Sequence, residues 1–180
     1  QLILILNNSN TFENRKEKIF NNWHFSLSHG NRKELFDKIN KEDNYFLNNK
    51  LNRLLNWKHQ SEYKYTFCPS GKGIDDPRIY ESIILGNIPI RLEEKISKFH
   101  KDMPIIYIDK IKDLNLDFIN SKFQNFQNQK FNFDKLFLDY WKNKINIDKK
   151  HDLSSFQNIS LEDFRFKLTD YYLKHFKDYE

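Results

Sequence analysis

The chain of 180 residues contains no alanine and no valine, and only one cysteine, one methionine, four glycines and four prolines. A single cysteine excludes an internal disulfide framework. The apolar run at residues 2–6 is far shorter than the ~20 residues that a membrane-spanning helix needs, and no other run approaches that length. Asn, Lys, Ile and Phe are abundant instead. We attribute this bias to a GC-poor genome rather than to function.

Charges of both signs are distributed along the chain: 30 Lys and Arg against 25 Asp and Glu give a formal net charge of +5. A basic excess is typical of proteins that bind nucleic acid or an anionic membrane surface. Here the lysines follow the compositional bias and acidic residues are interspersed among them. We therefore interpret the charge as a solvated mixed surface. A nucleic-acid-binding domain that also uses the Phe-rich segment 123–133 is the less favoured alternative.

Residues 67–90 indicate a strand, a glycine-rich turn, a short helix and a second buried strand. Tyr63 to Phe67 is aromatic-rich and prone to form a strand, which a proline ends because it has no N–H to donate. Two glycines permit a tight turn, a proline suits the first helical position, and a glycine commonly follows a helix end. Pro69 ends the strand and Gly71 and Gly73 form the turn. Asp75 or Asp76 caps the helix, Pro77 begins it and Gly86 follows its end.

The turn directs free backbone N–H groups and a helix N-terminus at one point, which attracts an anion such as phosphate. Arg78 and Glu81 lie three residues apart and share one helix face. The guanidinium of Arg78 suits a phosphate, and Glu81 suits the hydroxyls of a ribose. A purely structural turn is the alternative when the glycines are taken alone.

This order of residues resembles the donor-binding motif of exostosin-like glycosyltransferases. That motif has an aromatic-rich strand, Pro-x-Gly-x-Gly-x-Asp, then Arg, an aromatic residue, Glu, a small residue, Gly and x-Ile-Pro. The matching residues are Pro69, Gly71, Gly73, Asp75, Arg78, Tyr80, Glu81, Ser82, Gly86, Ile88 and Pro89. The resemblance extends loosely over residues 1–141 and is specific within 67–90. Asp76-Pro77 and Asn87 depart from the residues usual at those positions.

Upstream, Asn10-Thr11 and Arg15 resemble an Asn-Thr-x-x-x-Arg segment of the same family. We predict a buried parallel strand at residues 2–6 and a helix at 12–22 that Thr11 caps. Ligands of open α/β sheets bind outside the carboxyl ends of the strands. Asn10, Thr11 and Arg15 are therefore expected at the same edge as the 67–90 motif. Plain capping by Thr11 and a solvated Arg15 are the alternatives.

Alternating strands and helices predict an α/β fold with a Rossmann-like parallel sheet flanked by helices. The other predicted elements are a short strand at 23–28, helices at 31–40, 45–57, 114–125 and 134–145, and a strand at 105–108. We divide the chain into a nucleotide-sugar-binding domain at 1–147, a polar connector at 148–160 and an amphipathic helix at 161–180. That helix packs on the domain or on a missing acceptor domain.

The resemblance implies the donor-binding half of a GT-B fold. The implied reaction transfers a sugar, expected to be UDP-linked, to a hydroxyl of a carbohydrate or glycan acceptor, with inversion and without a metal ion or other cofactor. Arg78 is expected to contact and stabilise the leaving diphosphate rather than a structural carboxylate, and Glu81 to bind ribose. The other expected donor-binding residues are Asn10, Thr11, Arg15, Ser70, Gly71, Lys72, Gly73 and Asp75.

The sequence has no Asp-x-Asp, which argues against a metal-held diphosphate, and no convincing catalytic base. Because the first residue is Gln rather than Met, we expect the chain to be part of a longer protein, with the base on an upstream acceptor domain. Nucleic acid is not an expected partner, and no membrane segment is expected in this chain. A non-catalytic nucleotide-sugar-binding module is the alternative. Localisation is cytoplasmic if the chain is complete, with the Golgi lumen as the option for a piece of a eukaryotic enzyme.

Overall fold

A computed structural model describes residues 1–71, 76–144 and 153–176. A parallel sheet of five strands forms its centre, in the order β2-β1-β3-β4-β5. The strands are β1 (Lys16–Asn21), β2 (Asn44–Phe46), β3 (Tyr63–Phe67), β4 (Ile88–Leu92) and β5 (Ile106–Ile108). The helices are α1 (Leu2–Asn7), α2 (Arg32–Lys38), α3 (Arg53–Gln60), α4 (Pro77–Ile84), α5 (Leu116–Phe126), α6 (Leu138–Lys144) and α7 (Leu161–Phe176). The predicted α/β fold with a parallel sheet flanked by helices is thus confirmed, and it is consistent with a Rossmann-like fold.

Helices and loops cover both faces of the sheet, as parallel strands require. On one face, α2 and α5 pack on β1, β3, β4 and β5 through an apolar cluster that includes Leu35 and Ile119. On the other face, α1, α4 and α7 form a second cluster with the segments around Phe133 and Phe156. Phe133 and Phe164 stack there with their ring centroids 3.9 Å apart.

The unit β3-α4-β4 forms where residues 67–90 predict it. Asp76 caps α4 by accepting a hydrogen bond from the backbone N–H of Arg78 at 3.1 Å, and Pro77 occupies the first turn. Ile79, Ser82 and Ile83 recur at helical spacing and are buried against the sheet. Gly86 follows the helix with a φ of +76°, a conformation that glycine adopts without strain. Local signals and tertiary packing agree in this unit.

The predictions for residues 2–28 are wrong. Residues 2–6 lie in α1 instead of a buried strand, and only Leu6 of this helix is buried. The segment 12–22, predicted to be a helix, forms a 3₁₀ turn (Phe12–Asn14) and then β1. The segment 23–28, predicted to be a strand, begins with a 3₁₀ turn (Trp23–Ser26). A short apolar run does not distinguish a strand from a helix. In β1, pairing with strands on both sides overrides the helix propensity of Lys16-Glu17-Lys18.

Later predictions hold better. The predicted helix at 45–57 splits into β2 and α3, whereas the helices predicted at 31–40 and 114–125 correspond to α2 and α5. The strand predicted at 105–108 is β5, and the helix predicted at 134–145 is a 3₁₀ turn (Asp134–Leu136) followed by α6. Two more 3₁₀ turns are Lys95–Phe99 and Ile111–Asp113.

The described part of the predicted connector at 148–160 carries buried apolar side chains. Leu153, Phe156 and Ile159 belong to the same cluster as Phe164 and Leu168 of α7, so α7 packs on the sheet of its own domain. A 3₁₀ turn (Ser154–Phe156) lies in this segment. None of the helices among the described residues has the length and apolarity to cross a membrane.

Candidate functional site

The carboxyl ends of β1 and β3 form the point where the strand order reverses. From β1 the chain crosses outward to β2 and then returns to β3 on the other side of β1. The connections that leave β1 and β3 diverge here, which opens the crevice where doubly wound sheets bind ligands. The loop that contains Pro69, Ser70 and Gly71 follows β3 at this point.

Arg78 faces this loop from the first turn of α4. Its Nε donates to both carboxylate oxygens of Asp76 at 3.0 Å, and its Nη2 donates to Asp76 and to the carbonyl oxygen of Pro69. Burial, which lowers the pKa of Arg78, is outweighed by the hydrogen bonds and attraction of Asp76, so its pKa is raised. Arg78 therefore contacts a structural carboxylate, contrary to prediction. Within the described residues its Nη1 makes no hydrogen bond.

Arg32, in the first turn of α2, reaches the same loop from the opposite face of the sheet. Its Nε donates to the carbonyl oxygen of Ser70 at 3.1 Å. A Cβ built on Gly71 would lie 2.6 Å from Nη2 of Arg32, so the glycine makes room for the guanidinium. Burial lowers the pKa of Arg32 and repulsion by Arg78 lowers it further, against attraction by Asp76. In the described part of the chain, Arg32 has no ion pair.

Arg91 approaches the loop from β4. Its Nη2 donates at 3.0 Å to the hydroxyl oxygen of Ser70 and at 3.0 Å to Glu94. Ser70 in turn donates to Glu94 at 2.7 Å, so the loop is fixed on this side by an Arg-Ser-Glu network. Cys68 lies beneath: burial raises the pKa of its thiol to about 12, with the charges of Asp76, Arg78 and Arg91 as smaller influences. Three guanidinium groups thus surround one short loop.

Glu81 lies one turn along α4 from Arg78 but is held by α3. It accepts a hydrogen bond from the indole N–H of Trp57 at 3.0 Å and pairs with Arg53. The Arg53 side chain is 70% exposed, whereas that of Glu81 is 15% exposed. The structure therefore brings Glu81 near Arg78 and fixes its carboxylate through a mostly buried indole.

Asn10, Thr11 and Arg15 lie elsewhere. They precede β1, which places them at the amino-terminal edge of the sheet, opposite the loop that follows β3. Arg15 lies beside Gly86, just before β4 at the same edge: a Cβ built on Gly86 would lie 3.0 Å from Nη2 of Arg15. The expectation that these three residues share a site with the motif depended on a strand at residues 2–6 and is wrong. Lys72, Gly73 and Asp75 lie outside the described residues.

The residue pattern did not identify Arg32 and Arg91 as site residues. Arg91 directly follows Ile88-Pro89-Ile90, so the motif carried a signal for it on β4. Arg32 is 38 positions from Ser70 and meets it only because β3 lies next to β1. The residue pattern also carried no signal for His100, which is buried. Its Nε2 lies 3.1 Å from the hydroxyl of Tyr80, and its Nδ1 lies 3.4 Å from the hydroxyl of Tyr107.

No group of three or more His, Cys, Asp and Glu side chains in ranges 1–71, 76–144 and 153–176 is arranged to hold a metal ion. Comparison of the chain with protein-family models and with curated proteins gives no match. The candidate site is therefore defined by its geometry: an arginine-lined loop at the switch point of a parallel sheet.

Proposed function

We propose that this chain binds the diphosphate of a nucleotide sugar at the loop that follows β3 and forms the donor-binding half of a GT-B glycosyltransferase. The expected chemistry is metal-independent inverting transfer from a UDP-linked sugar to a carbohydrate hydroxyl, as the exostosin-like resemblance implies. The observation that carries the proposal is the position of Arg32 and Arg78. Arg32 donates to Ser70 and Arg78 donates to Pro69 in the same loop, and both guanidiniums retain nitrogens without a hydrogen bond to a described residue.

An anion at this point would relieve the repulsion between Arg32 and Arg78. Hydrogen bonds from guanidinium to phosphate are charge-assisted and about twice as strong as those between neutral groups. Asp76 neutralises one arginine and Glu94 pairs with Arg91. Among these side chains, Arg32 is left as the charge without a carboxylate partner. Such positive groups also stabilise charge that develops on a leaving diphosphate.

Glu81 keeps its proposed role at the ribose. Each carboxylate oxygen has two acceptor positions, so the bonds to Trp57 and Arg53 leave capacity for hydroxyl donors. The indole fixes the orientation of the carboxylate before a ligand arrives, which lowers the cost of binding. The catalytic base is expected on an acceptor domain. A non-catalytic nucleotide-sugar-binding module would retain these contacts and lack transfer.

The proposal is tested by thermal shift and calorimetry with UDP, GDP and their sugar conjugates. A specific ligand at 100-fold its Kd stabilises by about 2.7 kcal/mol. We expect Arg32→Gln to weaken binding of a nucleoside diphosphate by about tenfold or more. Lys58→Gln on α3 removes one exposed positive charge away from the loop and serves as the control. Equal affinity of Arg32→Gln and the wild-type chain would contradict the proposed site.

Turnover distinguishes an enzyme half from a binding module. We expect the chain alone to bind the nucleotide but not to transfer a radiolabelled sugar, because an acceptor hydroxyl must be held against the donor for an efficient reaction. A longer polypeptide that includes an upstream acceptor domain is expected to restore transfer. Acceptor-dependent transfer by the chain alone would show that the catalytic base lies within residues 1–180.

A further inference from the structure

A cavity of about 680 Å³ lies at the amino-terminal edge of the sheet, opposite the loop that follows β3. It is enclosed by the end of α1, the 3₁₀ turn at Phe12–Asn14, the start of β4, the end of α5 and the first turns of α7. Its size is in the range of small-molecule sites, about 300–1,000 Å³. The proposed nucleotide site makes no use of these elements.

Arg165 and Arg15 provide the positive charge at this cavity, and Glu13 and Glu162 in its lining carry negative charge. Arg165, on α7, lines it, and its guanidinium forms neither a hydrogen bond nor an ion pair with the described residues. Burial lowers the pKa of Arg165, and attraction by Glu13 and Glu162, which also line the cavity, partly offsets this shift. Neither carboxylate lies within ion-pair distance of Arg165. A partly desolvated guanidinium without a partner is a strong donor for an anion.

Arg15 lies directly behind the cavity wall and is 3% exposed. Its Nε donates to the carbonyl oxygen of Asn10 at 3.1 Å and its Nη2 donates to the hydroxyl oxygen of Ser9 at 3.0 Å, while Nη1 has no hydrogen-bond partner among the residues that the structure describes. Burial and then repulsion by Arg165 lower the pKa of Arg15 to about 10, against attraction by Glu13. Two guanidinium groups therefore repel each other here, and neither forms an ion pair with a described carboxylate.

The floor of the cavity is apolar. Ile83, Ile88 and Phe164 are buried in the cores and contribute to the lining. Phe12 and Phe123 also line it and stack with their ring centroids 4.7 Å apart. A bare inorganic ion would leave this apolar surface in contact with water, whereas an aromatic or aliphatic body would cover it.

We propose that this cavity binds a small amphiphilic anion, with a carboxylate or phosphate group at Arg165 and an apolar body on Phe12, Phe123 and Ile83. Arg15 adds positive potential from behind the wall. The hydroxyls and amides at the rim, Thr11 among them, supply further polar contacts. The site is independent of the proposed nucleotide site because it lies at the other edge of the sheet.

The test uses calorimetry and ligand-detected NMR on the full chain with benzoate and phenyl phosphate as probes. Benzamide and phenol are the matched neutral compounds, and inorganic phosphate is the matched compound without an apolar body. We expect saturable binding of one or both aromatic anions and at least about tenfold weaker binding of their neutral counterparts. The preferred anion then identifies the headgroup.

Arg165→Gln is the decisive variant, because it keeps most of the length of the side chain and removes the charge at an unpaired position. We expect a loss of about tenfold or more in probe affinity. Lys174→Gln, on the same helix α7, removes one positive charge that does not line the cavity and is expected to bind like the wild-type chain. A melting temperature measured for each variant confirms that it is folded.

Three outcomes would overturn the proposal: no saturable binding of either anion at millimolar concentration, equal binding of the neutral compounds, or equal affinity in Arg165→Gln. Inorganic phosphate that binds as tightly as phenyl phosphate would overturn the amphiphilic class of ligand. Loss of nucleotide binding leaves the probe experiment unaffected, so the two sites are tested separately.

Discussion

Arg32 and Arg78 lie beside the same loop but differ in their counter-ions. Arg78 holds Asp76, whose side chain is 7% exposed, and thereby compensates a nearly buried carboxylate. Arg32 donates to a carbonyl oxygen and is repelled by Arg78. Arg78 thus contributes to folding as well as to the site, whereas Arg32 adds a charge that forms no ion pair with a described carboxylate. Their substitutions should separate these two contributions.

We predict that Arg78→Ala lowers the free energy of unfolding by about 3 kcal/mol, because it leaves the Asp76 carboxylate buried without its partner. Arg32→Gln is expected to change it by less than about 1 kcal/mol, since one hydrogen bond is lost while a repulsion is relieved. Urea unfolding at neutral pH measures both values. Equal destabilisation by the two variants would show that Asp76 does not depend on Arg78.

At the scale of single elements, the end of α4 is constrained both in backbone conformation and in space. Gly86 has a φ of +76°, and a Cβ there would lie 3.0 Å from Nη2 of Arg15 and 3.1 Å from Cδ1 of Leu6. Gly30 also has a positive φ, +58°, but the nearest atom to its Cβ would be 3.8 Å away. The two glycines therefore share the conformational requirement and differ in crowding.

Gly30→Ala is expected to cost about 1–2 kcal/mol, the penalty of a left-handed conformation for an L-residue. Gly86→Ala should cost more than this, because it also displaces the buried guanidinium of Arg15 and the side chain of Leu6. Urea unfolding of both variants gives the comparison. If Gly30→Ala proves equally or more destabilising, the close approach of Arg15 and Leu6 to Gly86 contributes nothing.

The elements that could be predicted from the sequence are those in which local and tertiary preferences agree. The unit β3-α4-β4 carries a helix cap, a proline in the first turn and a glycine past the helix end. In residues 2–28 the local pattern was ambiguous or opposed to the final structure. Lys16-Glu17-Lys18 favours a helix locally, yet these exposed residues begin a central strand.

The candidate site, like the fold, could be predicted only where its residues are close together in the sequence. Arg78 does meet the loop after β3, through Pro69, because both lie within one β-turn-α unit. Arg32 joins them through the adjacency of β1 and β3, and sheet order is not encoded in any local pattern. Misassignment of residues 2–6 led to the prediction that Asn10, Thr11 and Arg15 lie at the carboxyl-terminal edge. They lie at the amino-terminal edge, where Thr11 lines a separate cavity and Arg15 lies beside Gly86 in its wall.

For the whole molecule, the shifted ionisable groups predict how stability depends on pH. Burial lowers the pKa of His24 from its ordinary 6.5. The hydrogen bond to the carbonyl oxygen of Leu47 opposes this shift, and the charge of Lys41 adds slightly to it. Hydrogen bonds from Lys64 and Asn120 lower the pKa of Glu17 from its ordinary 4.5. Burial raises the pKa of Tyr65 above its ordinary 10.0.

The direction in which stability changes with pH follows from which state, folded or unfolded, binds the proton more tightly. Below pH 6.5 the unfolded chain protonates His24 before the folded chain does, so stability is lost as the pH falls; Glu17 extends this loss below pH 4.5. Above pH 10.0 the unfolded chain ionises Tyr65 first, so stability is lost as the pH rises. Burial also raises the pKa of Cys68 from its ordinary 9.0, so the unfolded chain ionises this thiol first and stability already falls near pH 9. We predict a maximum in the free energy of unfolding between about pH 7 and 8.5.

Urea unfolding at a series of pH values measures this profile. His24→Gln keeps a hydrogen-bond donor but cannot be protonated, so the loss of stability that begins below pH 6.5 should disappear, while the loss below pH 4.5 remains. A wild-type chain whose stability is constant from about pH 7 to 5 would contradict the role of His24.

The lengths of the strands have a consequence for self-association. The central strands β1, β3 and β4 have six, five and five residues, whereas β2 and β5, at the two ends of the described sheet, have three residues each. An exposed sheet edge is a template on which another chain can add a strand, and short edge strands reduce that template. The segment 123–133, rich in Phe, Asn and Gln, is of a composition that promotes fibril formation once unfolded. In the folded chain, α5 keeps the first part of this segment helical, and the short edges offer little on which a fibril could nucleate.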